Sequence, residues 1–293
     1  MRALNALAIH ASIARRSSAA IAAALFVSAG VSEGASRGQP SLDVPFVPTP
    51  MVVVDEMLRL AKVGPNDVVI DLGSGDGRTV ITAAKKFGAR AVGVELDQHL
   101  LIQSEESARQ AGVEARVKFL EQDLFKADLS AATVITMYLY PSVMHKLRPK
   151  LLALRPGTRI VSHDYDLDDW RPDVKSTIRK DVFLWIVPAQ VAGRWQMRLA
   201  LPPVERLIEL DFEQRFQELS GHARVNGMSA PVWEAKLAGT VLSFVVIDGT
   251  EPNAEAGLYF EGRAAGDTIE GRVTRGVGQA RAAAQWRAVR VAR

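Results

Sequence analysis

The 293-residue chain contains no cysteine. That absence excludes disulfides, zinc–thiolate sites, iron–sulfur clusters and a cysteine nucleophile together. The chain also lacks the concentrated basic excess that a polyanionic partner requires. Residues 1–38 carry four arginines against Glu33, so the formal charge of +3 sits there, and the remaining residues hold 32 basic and 32 acidic groups. Nucleic acid is therefore not an expected partner. No stretch approaches the ~18 unbroken apolar residues of a spanning helix. His-Glu-x-x-His and Gly-x-Ser-x-Gly are absent as well, which leaves metalloprotease and serine-hydrolase chemistry without a motif. What remains is an ordinary globular composition, 48% hydrophobic and 24% charged, with enough chain for two domains or one large one.

The N-terminus has the pattern of a leader. Residues 1–16 include three arginines and no acid, residues 19–29 are apolar, and Val27-Ser28-Ala29 offers small residues for cleavage. Eleven helical residues reach roughly 16 Å, about half of a ~30 Å hydrocarbon core. Residues 1–38 thus read as a signal peptide or N-terminal anchor. The body is then exported or tethered to the membrane; it is cytoplasmic if translation starts further on. A linker from Gly34 to Ser41 leads to Pro45-Phe46-Val47-Pro48-Thr49-Pro50. Its three prolines disfavour regular structure and predict an extended strap lying across something.

Hydrophobic periodicity then alternates between two templates. It predicts a helix over Val52–Lys62, a buried strand Asp67–Leu72, a helix Gly77–Phe87, a strand Arg90–Glu95 and a helix Gln98–Ala111. Strands Ala115–Leu120 and Ala132–Tyr138, a helix Ser142–Leu154 and a strand Thr158–His163 follow. Such alternation implies a Rossmann-like, doubly wound α/β sheet covered on both faces. Runs Val182–Val187 and Gly193–Ala200 are placed to close that sheet as an antiparallel hairpin, giving a first domain over residues 43–202. Beyond Pro202-Pro203 the helical period fades. Leu237–Ile247, Gly257–Ala264, Thr268–Val273 and Ala284–Val291 alternate and are parted by turn chemistry such as Asp248-Gly249 and Gly266-Asp267. Residues 204–293 therefore predict a small antiparallel β domain, barrel or sandwich.

The segment with most chemical content is Asp71-Leu72-Gly73-Ser74-Gly75-Asp76-Gly77-Arg78, an apolar strand running through glycines into a helix. Such a turn lets a ligand approach a helix N-terminus closely. The third glycine falls one place too early for a dinucleotide fingerprint, and no Gly-Lys-Ser/Thr marks a triphosphate site. An acid, Asp71, stands two residues before the first glycine; it repels a pyrophosphate and attracts an ammonium group. Glu95 ends the second strand, where a carboxylate can accept from a ribose diol. Asp123 follows the third strand, placed for an adenine amine, with Leu96 and Leu124 to sandwich the base. Ammonium, ribose and adenine without phosphate describe S-adenosylmethionine (SAM), with Asp71, Gly73, Ser74, Gly75, Asp76, Gly77, Glu95, Leu96, Asp123 and Leu124 as its candidate contacts. A tight turn with Asp71 as a mere helix cap leaves Glu95 and Asp123 without a role.

These residues match in full the Asp/Glu-x-Gly-x-Gly-x-Gly motif of class I SAM-dependent methyltransferases, which the chain resembles over about residues 44–200. Within them it is most similar to the mitochondrial-membrane protein-lysine methyltransferases that modify ATP synthase and the adenine nucleotide translocase. The shared stretches are Pro45–Thr49, Asp71–Arg78, Tyr138-Leu139-Tyr140-Pro141-Ser142 and Arg159–Ser162. The resemblance implies SAM as methyl donor, a protein lysine or another amine as acceptor, and membrane association through the N-terminus. It does not reach residues 204–293.

Ligands of doubly wound sheets sit beyond the carboxyl ends of the strands. The end of the fourth strand carries Tyr138-Leu139-Tyr140-Pro141, an aromatic rim without a carboxylate, which suits an aliphatic amine because ring faces stabilise developing positive charge. Tyr138 and Tyr140 are the candidate catalytic residues; ordinary packing at a strand end is the alternative reading. His163-Asp164-Tyr165-Asp166-Leu167-Asp168-Asp169 fails the calcium-loop pattern, with Asp169 in place of glycine and Lys175 in place of the bidentate glutamate. No metal is expected, and His163 or Asp164 is left a substrate-side role. Tryptophans such as Trp185, Trp195 and Trp286 read as core or hairpin residues. A second reading of the whole chain is a non-catalytic protein that holds SAM or its demethylated product while the β domain binds a partner or apolar ligand.

Overall fold

The computed structural model describes residues 46–201, 204–247, 257–275 and 282–292, all within one compact unit spanning residues 40–293. The expected leader over 1–38, the linker, Pro45, Pro202-Pro203 and Asp248-Gly249 lie outside the described residues.

The first half is a seven-stranded mixed sheet in the order β3-β2-β1-β4-β5-β7-β6. Its strands are β1 (Val68–Leu72), β2 (Arg90–Glu95), β3 (Val117–Glu121), β4 (Val134–Met137), β5 (Arg159–His163), β6 (Val174–Thr177) and β7 (Asp181–Ile186). Alternate residues serve opposite faces. Val69, Val134 and Val161 pack beneath α1 (Met51–Leu60) and α2 (Arg78–Phe87) with Val53, Val54, Met57, Val80 and Ala83. Ile70, Ile135 and Ile160 face the other way, onto Val143, Met144, Leu147 and Leu151 of α4 (Pro141–Leu152). The helix ends follow local chemistry. Asp97 caps α3 (Gln98–Ala111) by accepting from the His99 and Leu100 amides at 2.8 and 3.4 Å. Gly88 and Gly112 close α2 and α3 in the left-handed conformation that glycine adopts without penalty.

Residues 193–292 contribute β8 (Gly193–Leu201), β9 (Val204–Arg215), β10 (Glu218–Val225), β11 (Met228–Ala238), β12 (Val241–Ile247), β13 (Gly257–Ala265), β14 (Thr268–Arg275) and β15 (Ala282–Ala292). Each pairs antiparallel with its sequence neighbour, and β15 returns to β8, so the barrel is closed. Here the structure corrects two expectations. The hairpin that completes the sheet is β6–β7, and Gly193–Leu201 leaves the sheet to become the first barrel stave. The boundary thus falls between Ile186 and Gly193, not at Pro202-Pro203. Inward positions fill the barrel with Trp195, Leu199, Ile208, Phe212, Phe244, Phe260 and Trp286, while outward ones such as Arg198, Glu205, Asp211 and Arg272 are exposed. The Phe244 ring stacks on Phe260 at 4.6 Å and meets Phe212 and Trp286 edge-on at 5.4 and 6.0 Å. Phe244→Ala is expected to cost about 3–5 kcal/mol in chemical denaturation, because such an interior cannot collapse onto the void.

The barrel docks on the sheet face where no helix follows β5. Phe216, at the β9–β10 turn, stacks on Trp170 at 5.8 Å, and the Trp170 indole donates to Gln217 Oε1 at 2.9 Å. The Trp185 indole in turn donates to the Trp170 carbonyl at 2.7 Å. Among the described residues no helix is long and apolar enough to cross a membrane.

Candidate active site

A cavity opens at the carboxyl ends of β1, β2 and β4, lined by Asp71, Gly73, Ser74, Asp76, Glu95, Leu96, Asp123, Leu124 and Tyr138. The strap closes one side: Phe46, Val47, Pro48 and Thr49 all line it. Arg78 holds the strap by donating to the Thr49 carbonyl at 2.9 Å.

Asp71 is buried, and its Oδ1 accepts from Thr136 Oγ1 at 2.6 Å. Burial pushes its carboxyl up to about 7, and Glu95 and Asp76 add to the shift against the hydroxyls of Thr136 and Thr79. A cation placed beside such a buried acid favours its ionised form and is held by it. Ser74 Oγ is buried in the same wall without a hydrogen-bond partner, a second polar group that a ligand can satisfy. Glu95 is busier than its spacing suggests. It accepts from the Gly75 amide through Oε2 at 2.9 Å, and from Leu96 and Asp97 through Oε1 at 2.8 and 3.1 Å. With about four acceptor positions on a carboxylate, roughly one is left for a ribose hydroxyl, not two. Asp123, which lines the cavity, accepts from the Phe125 amide through Oδ1 at 2.8 Å, while its Oδ2 lies 3.7 Å from Lys126 Nζ. Asp76 is engaged by Arg78, whose guanidinium holds that carboxyl below its ordinary range, so it contributes wall rather than a free charge.

Three predicted residues do not line the cavity. Gly75 lies under the Phe46 ring, which leaves no room for a side chain. Gly77 starts α2 at φ 75°, and a Cβ there would stand 2.8 Å from the Phe119 ring and 3.0 Å from Ser104 Cβ. Both glycines shape the loop. Gly77→Ala is expected to lose about 2–4 kcal/mol of stability, from the left-handed backbone and the clash together, read as a lower denaturation midpoint. Tyr140 is the third. It precedes Pro141 at the start of α4 and is 41% exposed, outside the cavity, so of the two tyrosines only Tyr138 faces the site. Residues the sequence did not flag include Thr136, Thr79, Met137 and Gln122. Thr136 was readable as the residue paired with Asp71 across β1–β4, once that pairing is known. No His, Asp or Glu cluster fit for a metal occurs among the described residues.

The fit to SAM is chemical: a cation-seeking buried acid, further carboxylates at the ends of β2 and β3, an orphan hydroxyl, and no basic residue to hold a phosphate except Arg78, which is already paired. The sequence model of the ANTKMT methyltransferase domain matches residues 71–174. A protein-lysine N-methyltransferase of Saccharolobus islandicus is 46% identical over 131 residues, 44% of this chain and 81% of that protein. The mouse adenine nucleotide translocase lysine N-methyltransferase is 39% identical over 133 residues, 45% of this chain and 57% of its own. Among solved structures, an RNA methyltransferase from Salinibacter ruber with S-adenosyl-L-homocysteine is 52% identical, covers 50% of this chain and 96% of that one, and superposes with a TM-score of 0.49. The chain thus spans little more than half of the mouse relative and four-fifths of the archaeal one, and by the archaeal match it belongs to the protein-lysine N-methyltransferase family of SAM-dependent methyltransferases.

Proposed function

We propose that the protein methylates the ε-amine of a lysine in another protein. The observation carrying this reading is the placement of Tyr138, a half-buried ring at the end of β4, on the wall of a cavity whose carboxylates lie at β1, β2 and β3. When bound, SAM supplies an electrophilic methyl on a sulfonium. Asp71 is the residue suited to its ammonium group, the open position of Glu95 to one ribose hydroxyl, and Asp123 to the adenine amine between Leu96 and Leu124. Displacement at a methyl carbon is in-line, so the chain contributes alignment and exclusion of water. The strap and Leu139 exclude water, and the Tyr138 face steadies the positive charge that builds on the acceptor nitrogen. A lysine, with pKa ~10.4 in water, must arrive neutral, and an apolar approach lowers that value.

Incubation of the purified chain with methyl-labelled SAM and protein extracts tests this. Label recovered as methyl-lysine supports it; label only in RNA, or binding of SAM without any transfer, overturns it. The leader-like residues 1–38 and the likeness to mitochondrial-membrane methyltransferases support acceptors at a membrane. Fractionation of the full-length protein in its source, with recovery solely in the soluble cytosol, would remove that part of the proposal.

A further inference from the structure

The donor site is directional. Glu95 and Asp123 stand at the ends of β2 and β3, on the far side of β1 from β4 and β5. Whatever meets the methyl group therefore approaches over the ends of β4 and β5. There the Tyr138 ring lies 4.1 Å from His163 and 6.2 Å from Tyr165, centroid to centroid. His163 is 2% exposed; its Nδ1 lies 3.3 Å from the Thr49 hydroxyl of the strap, and its Nε2 has no partner. Burial keeps that imidazole neutral by pulling its pKa below the ordinary value. Neutral, aromatic and dry walls suit an aliphatic stem, but they offer nothing to a charged amine arriving from water.

The carboxylate that could do so is the next residue. Asp164 sits at φ 69°, in the left-handed region that few residues but glycine, asparagine and aspartate tolerate. It is fixed there by its amide, which donates to the Asp181 carbonyl at 2.7 Å. Backbone in this region concentrates at functional positions. The side chain meets Lys180 Nζ at 3.0 and 3.3 Å. Lys180 is 58% exposed and Asp164 20%, so the lysine can swing out while the carboxylate stays. The pair borders Tyr138 closely enough to act on its hydroxyl: after burial, the Asp164 charge is the leading influence raising that pKa, and Lys180 opposes it. The group now holding Asp164 is thus an ammonium on a four-carbon stem, the chemistry of the acceptor itself.

We propose that Asp164 receives the charged head of the incoming acceptor lysine, and that Lys180 is an internal stand-in which the acceptor displaces. This rests on the lysine-methyltransfer reading and deepens it. Asp164 is a recognition residue, not a participant in the displacement. The head must leave the carboxylate and shed its proton to bulk water before attack, because an adjacent anion favours the protonated form. Lys180 lowers apparent acceptor affinity by occupying the receptor.

The probe is n-butylammonium, titrated into the full chain loaded with S-adenosyl-L-homocysteine and followed by saturation-transfer NMR. Lys180→Met is expected to tighten binding about two- to fivefold, the range that an exposed ion pair supports. Lys180→Arg keeps a competitor and is expected to match the unsubstituted protein. Asp164→Asn, which retains a side chain compatible with the left-handed backbone, is expected to weaken binding about tenfold or more, with the dissociation constant for SAM unchanged. No binding to the Lys180→Met protein, or equal binding by all four, overturns the inference. Transfer of labelled methyl groups to extract proteins, measured in parallel, separates the outcomes: transfer with an indifferent Asp164 sinks this inference alone, whereas absence of transfer sinks the reading beneath it.

Discussion

Asp71→Asn is expected to weaken SAM binding roughly 10- to 150-fold, the worth of a charge-assisted hydrogen bond in a buried site, and to flatten its pH dependence. Asparagine still accepts from Thr136, so the fold is retained and the charge alone is removed. The sign follows from the raised carboxyl, at about 7 instead of 3.8. Between those values the folded chain keeps the proton and the unfolded chain has released it. Stability from this group is therefore fully present below about pH 3.8 and drains away as pH rises toward 7. Ligand binding runs the other way. An ammonium beside Asp71 favours the carboxylate, so binding expels a proton, and affinity rises by up to about tenfold per pH unit between pH 5.5 and 7, then levels off. Calorimetry in two buffers of different ionisation enthalpy reads that released proton directly. Affinity that is flat over the interval, or higher at pH 5.5, contradicts the assignment of Asp71 to the ammonium group.

Tyr138→Ala is expected to leave SAM affinity within about threefold and to lower turnover about 10²- to 10³-fold, because a displaced acceptor loses the alignment on which the reaction depends. Tyr140→Ala is the matched control. Tyr140 stands at the start of α4, part-exposed and apart from the residues that line the cavity, and exposed substitutions of this kind usually change little. Equal losses in the two variants would mean that the cavity wall is not the acceptor side. Single-turnover rates with saturating labelled SAM, alongside binding isotherms, separate chemistry from affinity.

The contrast between those tyrosines shows what sequence can resolve. β2 and α3 coincide with their predicted spans, Arg90–Glu95 and Gln98–Ala111, since each has an unbroken period and explicit stops, Asp97 and Gly112 among them. The acids at the carboxyl ends of β1 and β2 and just past β3 were legible for the same reason: strand ends in a doubly wound sheet converge. Tyr140 was not, because two residues past a strand the direction of a side chain depends on how the next element starts, and Pro141 starts α4 at once. Nor could spacing show that Glu95 spends most of its acceptor capacity on Gly75, Leu96 and Asp97, which depends on the curl of the backbone. β6 carries Lys175 and Ser176 on a largely exposed edge and has no apolar period to read. Gly193–Leu201 alternates as either a sheet or a barrel strand must. Along β9 and β10 the outward positions are mostly polar, and between β10 and β11 only Asn226-Gly227, both at positive φ, signals a tight hairpin.

The seat of Phe216 on Trp170 makes the two halves of the chain mutually dependent. Trp170 and Trp185 are fully covered, and the cover over Trp170 is a barrel turn where a doubly wound fold would use a crossover helix. Cutting the chain after Ile186 would leave the catalytic half roofless, its indoles open to water. The barrel is thus no detachable passenger: trimming the enzyme to its family-matched portion would yield a sticky fragment, and denaturant should melt the halves together in a single transition.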